Sequence, residues 1–191
     1  MKKYKFTGET KTIYLPFGTV TLHRIKAVVE FGLVKVGDLG GWIEKEENLS
    51  HEENAWVYGD AEVCGNAKVY GNAKVCGNAK VYGDAEVYGD AKVYGDAEVR
   101  GNAWVCGNAK VFSTDHVLVI GAIGSRNDFT TFFRDKDNEI TVKCGCFLGK
   151  IDKFLEKVTQ THKDTKHTLA YRTAVEVAKL QIDLTEKSTR R

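Results

Sequence analysis

A six-residue repeat runs through the middle of the chain and constrains its fold more than any other feature. From Val57 to Val111, valine returns at every sixth position, and glycine, then Asn or Asp, then alanine follow at fixed offsets. The stretch "VYGDAEVCGNAKVYGNAKVCGNAK", residues 57–80, shows the pattern. A helix would space apolar residues about 3.6 apart, and a half-buried strand would alternate at every second residue. A period of six fits neither element.

Each hexad is best explained as a short strand followed by a tight corner. Glycine adopts left-handed backbone angles without steric cost, and Asn and Asp tolerate those angles better than other residues do. Strictly repeated hexads predict a parallel β-helix with valine and the small alanine pointing inward. Counting back in sixes from Ala55 reaches Leu49 and Ile43, so we expect the inward register to begin near Gly41. The fold class is therefore mainly β.

The hexads of residues 43–112 resemble the left-handed parallel β-helix of hexapeptide-repeat proteins. In that family three hexads make one triangular coil, which implies that residues eighteen apart stack on one another. With a coil spacing of about 4.8 Å, four coils would span roughly 20 Å. A solenoid of this kind has two open ends that must be covered. We expect the flanking segments to cover them.

The flanks have different predicted structures. Residues 1–42 contain short runs rich in Val, Ile, Thr and aromatic residues between glycine turns, which predicts an N-terminal β-rich cap. Residues 113–191 begin with three strand-like runs and a polar turn near residues 135–138. Apolar residues then recur at helical spacing from Ile151, and a second helix is predicted from about Thr165 to Leu184. The third segment is thus predicted to be a C-terminal α+β domain.

Two outward positions of the hexad suggest surfaces for interaction. The residue before each valine would stack Trp56, Lys74, Lys92 and Lys110 in one column, and like charges placed opposite one another repel. Either these lysines splay into water, or they form an anion-binding or partner-facing edge. The residue after each valine is often tyrosine, and rows of exposed aromatics mark interaction surfaces. Alternatively, the tyrosines cover the glycine backbone of the next coil.

Hexapeptide-repeat proteins usually pack as trimers around parallel helix axes, so the resemblance implies a homotrimer. The residues expected at its interface are Tyr58, Tyr70, Tyr82, Tyr88, Tyr94, Lys74, Lys92 and Lys110.

The strongest candidate for ligand chemistry is "GAIGSRND", residues 121–128, which follows the first strand of the C-terminal domain. Exposed amides in a glycine turn together with an arginine form an anion-binding concavity, and nearby phenylalanines could stack on a base. We therefore expect an anionic small molecule, such as a nucleotide, to bind here. The alternative is a purely structural turn. The expected ligand-binding residues are Gly124, Ser125, Arg126, Asn127, Thr130, Thr131 and Phe133.

Three segments together resemble a family of hexapeptide-repeat proteins encoded by phages, prophages and their bacterial hosts. They are "KKYKFTGET", "GDLGGWIEKEENLSH" and "IGAIGSRNDFTTFFRDKDNEITVKCGCFLGKIDKFLEKV". The resemblance covers nearly the whole chain. It implies the fold and a viral context, with a location in the host cytoplasm, but it transfers no activity.

The sequence predicts that the chain is not an enzyme. Acyltransferases of this fold class resemble one another in placing a histidine on the β-helix wall as general base, and no histidine occurs between Ala55 and Phe112. We therefore expect no catalytic residue and no cofactor. No metal site is expected either, because Cys144 and Cys146, even with His162 or His167, do not complete a recognisable zinc set. The two thiols are expected to share one face of a strand.

Charge and cysteine content limit the remaining functions. Residues 43–112 carry 7 basic and 12 acidic side chains, and such an acidic rod argues against binding of a nucleic-acid polymer. The five cysteines are an odd number, which favours reduced thiols in a cytoplasm. The sequence has no apolar run long enough for a bilayer and no secretory signal.

Three functions follow as hypotheses. The first is a non-catalytic binding protein in which a trimeric β-helix presents the C-terminal domain, sequestering a host nucleotide used as an immune signal. The second is a structural protein that binds a protein partner through the β-helix surface. The third is an acyltransferase-like enzyme, which the missing wall histidine disfavours.

Overall fold

The computed structural model describes residues 1–15 and 18–185. Three long strands come first, namely β1 (Tyr4–Leu15), β2 (Gly18–Ala27) and β3 (Leu39–Ile43). The hexads form ten two-residue strands: β4 (Trp56–Val57), β5 (Glu62–Val63), β6 (Lys68–Val69), β7 (Lys74–Val75), β8 (Lys80–Val81), β9 (Glu86–Val87), β10 (Lys92–Val93), β11 (Glu98–Val99), β12 (Trp104–Val105) and β13 (Lys110–Val111). The C-terminal part contains β14 (Val117–Ile123), β15 (Asp128–Arg134), β16 (Ile140–Cys144), β17 (Phe147–Lys150), α1 (Ile151–His162) and α2 (Lys166–Gln181). Short 3₁₀ turns at Glu46–Asn48 and Thr114–His116 flank the hexads.

The ten short strands wind into a left-handed parallel β-helix of about four coils, as predicted. Strands eighteen residues apart pair in parallel, as Lys74 does with Lys92. Three walls result: a hairpin wall (β3-β5-β8-β11), a lysine wall (β4-β7-β10-β13) and a tyrosine wall (β6-β9-β12). The valines and alanines of the hexads fill the interior, together with Ile43 and Leu49.

Glycine is required at most corners of the coil for two reasons: the backbone angle is left-handed, and the next coil leaves no room for a Cβ. Gly83 has φ +76°, and a Cβ built there would lie 2.9 Å from the backbone nitrogen of Gly101 in the next coil. Backbone hydrogen bonds hold the coils at this separation, as where the amide of Lys74 donates to the carbonyl of Ala91 at 2.9 Å. A side chain at most of these corners would therefore push two coils apart.

The N-terminal segment covers the first coil, as predicted. The buried Lys3 ammonium donates to the carbonyl of Ala55 at 2.7 Å, and the Tyr4 hydroxyl donates to the carbonyl of Leu49 at 2.9 Å. Strands β1 and β2 form an antiparallel hairpin that joins the hairpin wall through β3. A second apolar cluster of Leu22, Trp42 and Cys64 forms where the hairpin lies against this wall.

The C-terminal segment is a four-stranded antiparallel sheet, β14-β15-β16-β17, with two helices. Phe132 packs with Phe154 and Val175 in the core beneath the helices, whereas Phe133 packs into the end of the β-helix core. The sheet is also hydrogen-bonded to the last coil, because the amide of Lys136 donates to the carbonyl of Asn108 at 3.0 Å. The α+β region is therefore confirmed, while the domain limits at residues 42 and 112 remain a prediction. Neither helix of the described residues is long and apolar enough to span a bilayer.

Candidate functional site

A cleft of about 390 Å³ lies in the C-terminal region between two hairpin turns and the helices. Its rim comes from the β14–β15 and β16–β17 turns and the exposed Lys157 of α1, and its floor comes from β17, α1 and α2. The residues that line it are Ser125, Arg126, Asp128, Cys144, Gly145, Cys146, Phe147, Phe154, Lys157, Val158, Thr161, His162 and Tyr171.

The β14–β15 turn brings the predicted arginine to the rim. Gly124 and Asn127 both have left-handed backbone angles, and the amide of Asn127 donates to the carbonyl of Gly124 at 3.4 Å. A Cβ at Gly124 would lie 1.9 Å from the hydroxyl oxygen of Tyr171. Glycine at this position therefore lets the tyrosine hydroxyl reach the turn, and Ser125 and Arg126 project at its exposed tip.

The β16–β17 turn places a second glycine under the arginine. Gly145 has φ +54°, and a Cβ there would lie 3.2 Å from Nη1 of Arg126. Cys144 ends β16, whereas Cys146 is exposed in the turn. The prediction that the two thiols share one face of a strand is wrong, because the chain reverses direction between them.

The floor of the cleft is aromatic. The rings of Phe147 and Phe154 lie 5.3 Å apart between centroids, and those of Phe154 and Tyr171 lie 5.4 Å apart. His162 stacks beside Tyr171 with centroids 6.0 Å apart. Such a floor can accept the flat face of an aromatic ligand.

The polar groups of the cleft favour an anion. Burial, followed by the neighbouring Cys144 thiol, raises the pKa of Tyr171 to about 12, so its hydroxyl keeps its proton near neutral pH. The Cys144 thiol donates to this hydroxyl at 3.8 Å and accepts from the hydroxyl of Thr130 at 3.3 Å. At the rim, Arg126 and Lys157 supply two cations against the single carboxylate of Asp128.

Only part of the ligand set predicted from sequence lines this cleft. Ser125 and Arg126 do so, while Thr130, Thr131 and Phe133 are buried in the sheet. Alternation along β15 turns Thr131 and Phe133 toward the β-helix, and the Thr131 hydroxyl accepts a hydrogen bond from the amide of Trp104 at 3.0 Å. These two residues attach the sheet to the rod, and their predicted ligand contacts remain untested.

The helical half of the cleft was not predicted from sequence, where His162 was named only as a possible metal ligand beside the two thiols. Lys157, Thr161, His162 and Tyr171 reach it from α1 and α2. The i, i+4 spacing of Lys157 and Thr161 shows that they share a helix face. Nothing in the sequence indicates that this face meets the two hairpin turns.

The predicted interface tyrosines are half-buried on the walls and already have partners. Tyr70 and Tyr88 stack with centroids 4.8 Å apart and planes 3° apart. The Tyr70 hydroxyl donates to Glu86 at 2.7 Å, and the Tyr82 hydroxyl donates to Glu98 at 3.0 Å. The tyrosines therefore do cover the neighbouring coil, and their role between subunits stays a prediction, as does that of Tyr58, Tyr94 and the lysines.

His51 and His116, which lie before and after the hexads, accept backbone hydrogen bonds at the two ends of the β-helix. The amide of Lys3 donates to Nδ1 of His51 at 3.3 Å, and the amide of Phe112 donates to Nδ1 of His116 at 3.3 Å. Burial is the main cause that lowers the pKa of His51. Among residues 1–15 and 18–185, no three His, Cys, Asp or Glu side chains gather closely enough to hold a metal ion.

The coils, their hexad sequence and their glycine corners define a β-helix protein of the hexapeptide-repeat type. No family model matches the chain. Over 62 residues the chain is 39% identical to an uncharacterized acetyltransferase, YdcK, of Escherichia coli (strain K12). The matched region is 30% of this chain and 19% of that protein, so the chain matches about a fifth of its relative's length.

This similarity overturns the prediction that the chain is not an enzyme. A relative named as an acetyltransferase points to acyl transfer, and the acyltransferase-like alternative stays open. The prediction was based on the absence of histidine from the hexads, whereas the cleft of the C-terminal region lies outside them. That cleft contains His162, two thiols and a serine.

Proposed function

We propose that the chain binds a nucleotide-type anion in the cleft of the C-terminal region. The observation that carries the proposal is the placement of Arg126 and Lys157 at the rim of an aromatic floor. The phosphate would bind the two cations, and the base would lie on the floor.

The chemistry of the lining supports this assignment. An arginine guanidinium binds phosphate oxygens through paired, charge-assisted hydrogen bonds. The Tyr171 hydroxyl, which its raised pKa keeps protonated, can donate to a polar group of the ligand. The volume of about 390 Å³ is within the range of small-molecule sites.

Isothermal titration calorimetry with nucleoside monophosphates, diphosphates and cyclic nucleotides tests the proposal. We expect Arg126→Ala and Lys157→Ala each to weaken binding by about tenfold or more, since each removes a charge-assisted contact. Lys153→Ala is the matched control, because Lys153 lies on the same helix but pairs with Glu156 at 3.0 Å. Absence of binding heat for every nucleotide, or equal weakening by Lys153→Ala, would overturn the proposal.

Acyl transfer is a second candidate, and the similarity to the acetyltransferase favours it. In this reaction an acceptor N–H or O–H attacks the thioester carbonyl, its proton passes to a base such as His162, and the acyl group leaves the sulfur as that bond breaks. The test is release of free thiol from an acetyl thioester of coenzyme A with amine and alcohol acceptors. Activity that is lost in His162→Gln supports acyl transfer, and no thiol release with any acceptor opposes it.

We also propose a biological role for nucleotide binding in this cleft. In a viral context, tight binding in this cleft would sequester a host nucleotide used as an immune signal. Mass spectrometry of small molecules that co-purify with the native protein tests this role. A nucleotide released on denaturation of the native protein, but not of Arg126→Ala, is the expected result.

A further inference from the structure

The lysine wall carries a column of three like charges that the protein leaves uncompensated. Lys74, Lys92 and Lys110 are in direct register, one per coil, and the coil spacing is about 4.8 Å. Within residues 1–15 and 18–185, none of the three ammonium groups forms a hydrogen bond or an ion pair. Like charges placed directly opposite on a sheet destabilise it.

The other two walls alternate charge at the same position. On the hairpin wall Lys80 lies between Glu62 and Glu98, and on the tyrosine wall Lys68 lies beside Glu86. The lysine column is therefore a local departure from the pattern of this chain.

The acids at this position on the other walls already have partners within the chain. Glu62 pairs with Lys11 at 2.7 Å, and the carboxylates of Glu86 and Glu98 accept from tyrosine hydroxyls. A symmetric contact between lysine walls would bring like charges together. The counter-charge thus fits a different molecule better than a second copy of this chain.

A cleft of about 390 Å³ lies beside the column, between the loop at Gly32 and Leu33 and the wall. Leu33 is 81% exposed, and Tyr58 lies on the same lining. The lining includes one carboxylate, Asp90, which already accepts from Asn72 at 3.1 Å. The cleft therefore offers cations and an apolar side chain together.

We propose that the lysine wall docks an extended acidic segment of another protein. An apolar side chain of the segment would pack on Leu33 and Tyr58, and its carboxylates would follow the lysine column. Side chains on one face of an extended strand recur about every 6.7 Å. Three flexible lysines spread over roughly 10 Å of wall can meet two such carboxylates. The exposed leucine favours a peptide over a bare polyanion, which has no apolar group to place there.

Fluorescence anisotropy with a labelled peptide of sequence Leu-Thr-Glu-Thr-Glu, whose leucine and two glutamates share one face of an extended strand, tests the proposal on the full chain. We expect binding that weakens with added salt, because exposed charges are screened. Lys74→Glu with Lys92→Glu should weaken binding by about tenfold or more, since it puts repulsion in place of attraction. Leu33→Ser should weaken it by about threefold, as expected for the loss of one apolar contact.

Matched controls separate the lysine wall from general charge effects. Lys80→Glu and Lys68→Glu make the same change on the other two walls and should leave binding unchanged. Arg126→Ala should also leave peptide binding unchanged, because Arg126 lines the cleft of the C-terminal region and not the lysine wall. Equal binding of a peptide with Gln in place of Glu, equal weakening by Lys80→Glu, or no binding would overturn the proposal. Binding of a thymidine oligonucleotide that depends on Lys74 and Lys92 but not on Leu33 would replace the peptide with a nucleic acid.

Discussion

At the residue scale, buried Asp135 connects the C-terminal sheet to the rod. Its carboxylate accepts from the amides of Asp137 and Glu139 and from the Thr141 hydroxyl at 2.6 Å, and it pairs with Lys150. Burial alone would raise its pKa, but these donors, with Lys150 first, hold the pKa of Asp135 below its usual value. The sequence predicted a polar turn here. Its docking on Ala109 of the last coil depends on tertiary contacts that no local pattern encodes.

Asp135→Asn should destabilise the protein by about 1–3 kcal/mol at pH 7, because it removes charge and acceptor capacity from several buried donors. A lowered folded pKa stabilises the fold above the unfolded value, and the contribution is lost as pH falls through the folded value. The difference from wild type should therefore shrink below about pH 4. Urea unfolding of wild type and Asp135→Asn at pH 7 and pH 3 measures this difference in stability.

Asp137→Asn serves as the control, since this neighbouring carboxylate is half-exposed and pairs with Lys136 at the surface. It should change stability by less than about 0.5 kcal/mol. If the effect of Asp135→Asn were the same at both pH values, the ion pair and its donors would not be the source of the stabilisation.

At the scale of the element, the hexad was predictable because its period is imposed by local backbone geometry. Glycine, a polar corner residue, alanine and valine each have one place in the coil, so the inward register from Ile43 follows from the sequence pattern. The stacking of residues eighteen apart was implied by the resemblance to hexapeptide-repeat proteins. The hairpin was harder to predict. The alternation in β1 indicates a strand but not the wall that it covers, which depends on Trp42 and Cys64 in other elements. Residues 16 and 17, within a predicted strand run, lie outside the described residues.

Alanine substitutions at two corner glycines distinguish the loss of stability caused by the backbone angle from the loss caused by contact with the next coil. Gly83 and Gly101 both have left-handed φ, but a Cβ at Gly101 would meet nothing within 4 Å, because no coil stacks on it. We expect Gly101→Ala to cost about 1–2 kcal/mol, which is the price of the left-handed angle. Gly83→Ala should cost about 1–3 kcal/mol more, since its Cβ would overlap the next coil.

Thermal or urea unfolding of the two alanine variants compares them directly. Equal losses would mean that the coils can separate without cost, and that close stacking does not stabilise the rod.

At the scale of the whole molecule, the β-helix, its N-terminal cover and the C-terminal α+β region were predictable, whereas the composition of the cleft was only partly so. The glycine turn in the sequence predicted Ser125 and Arg126 as ligand-binding residues. Lys157 and Tyr171 join them only after two helices pack on the sheet. The assembly state also belongs to this scale. Of the aromatics predicted at the trimer interface, the stacked Tyr70 and Tyr88 lie on the tyrosine wall. The hairpin and the lysine column belong to the other two walls.

Light scattering coupled to size-exclusion chromatography tests the predicted homotrimer. We expect about three times the chain mass of 21.2 kDa. Tyr70→Ser with Tyr88→Ser should shift the protein toward the monomer, because buried aromatics dominate interface energy. Tyr82→Ser is the control, because Tyr82, although among the aromatics predicted at the interface, packs against the apolar cluster beneath the hairpin. A monomeric wild-type protein would contradict the prediction.

The coil-by-coil register has a consequence for how such a rod can vary in length. Lys3 at one end and Lys136 at the other both bind main-chain carbonyl oxygens, a type of group that every turn of the rod presents identically. Eighteen residues could therefore be inserted or deleted between the two ends while both coverings keep their partners. A change that is not a multiple of eighteen residues would rotate one end against the other, so the rod can lengthen only in steps of about 4.8 Å.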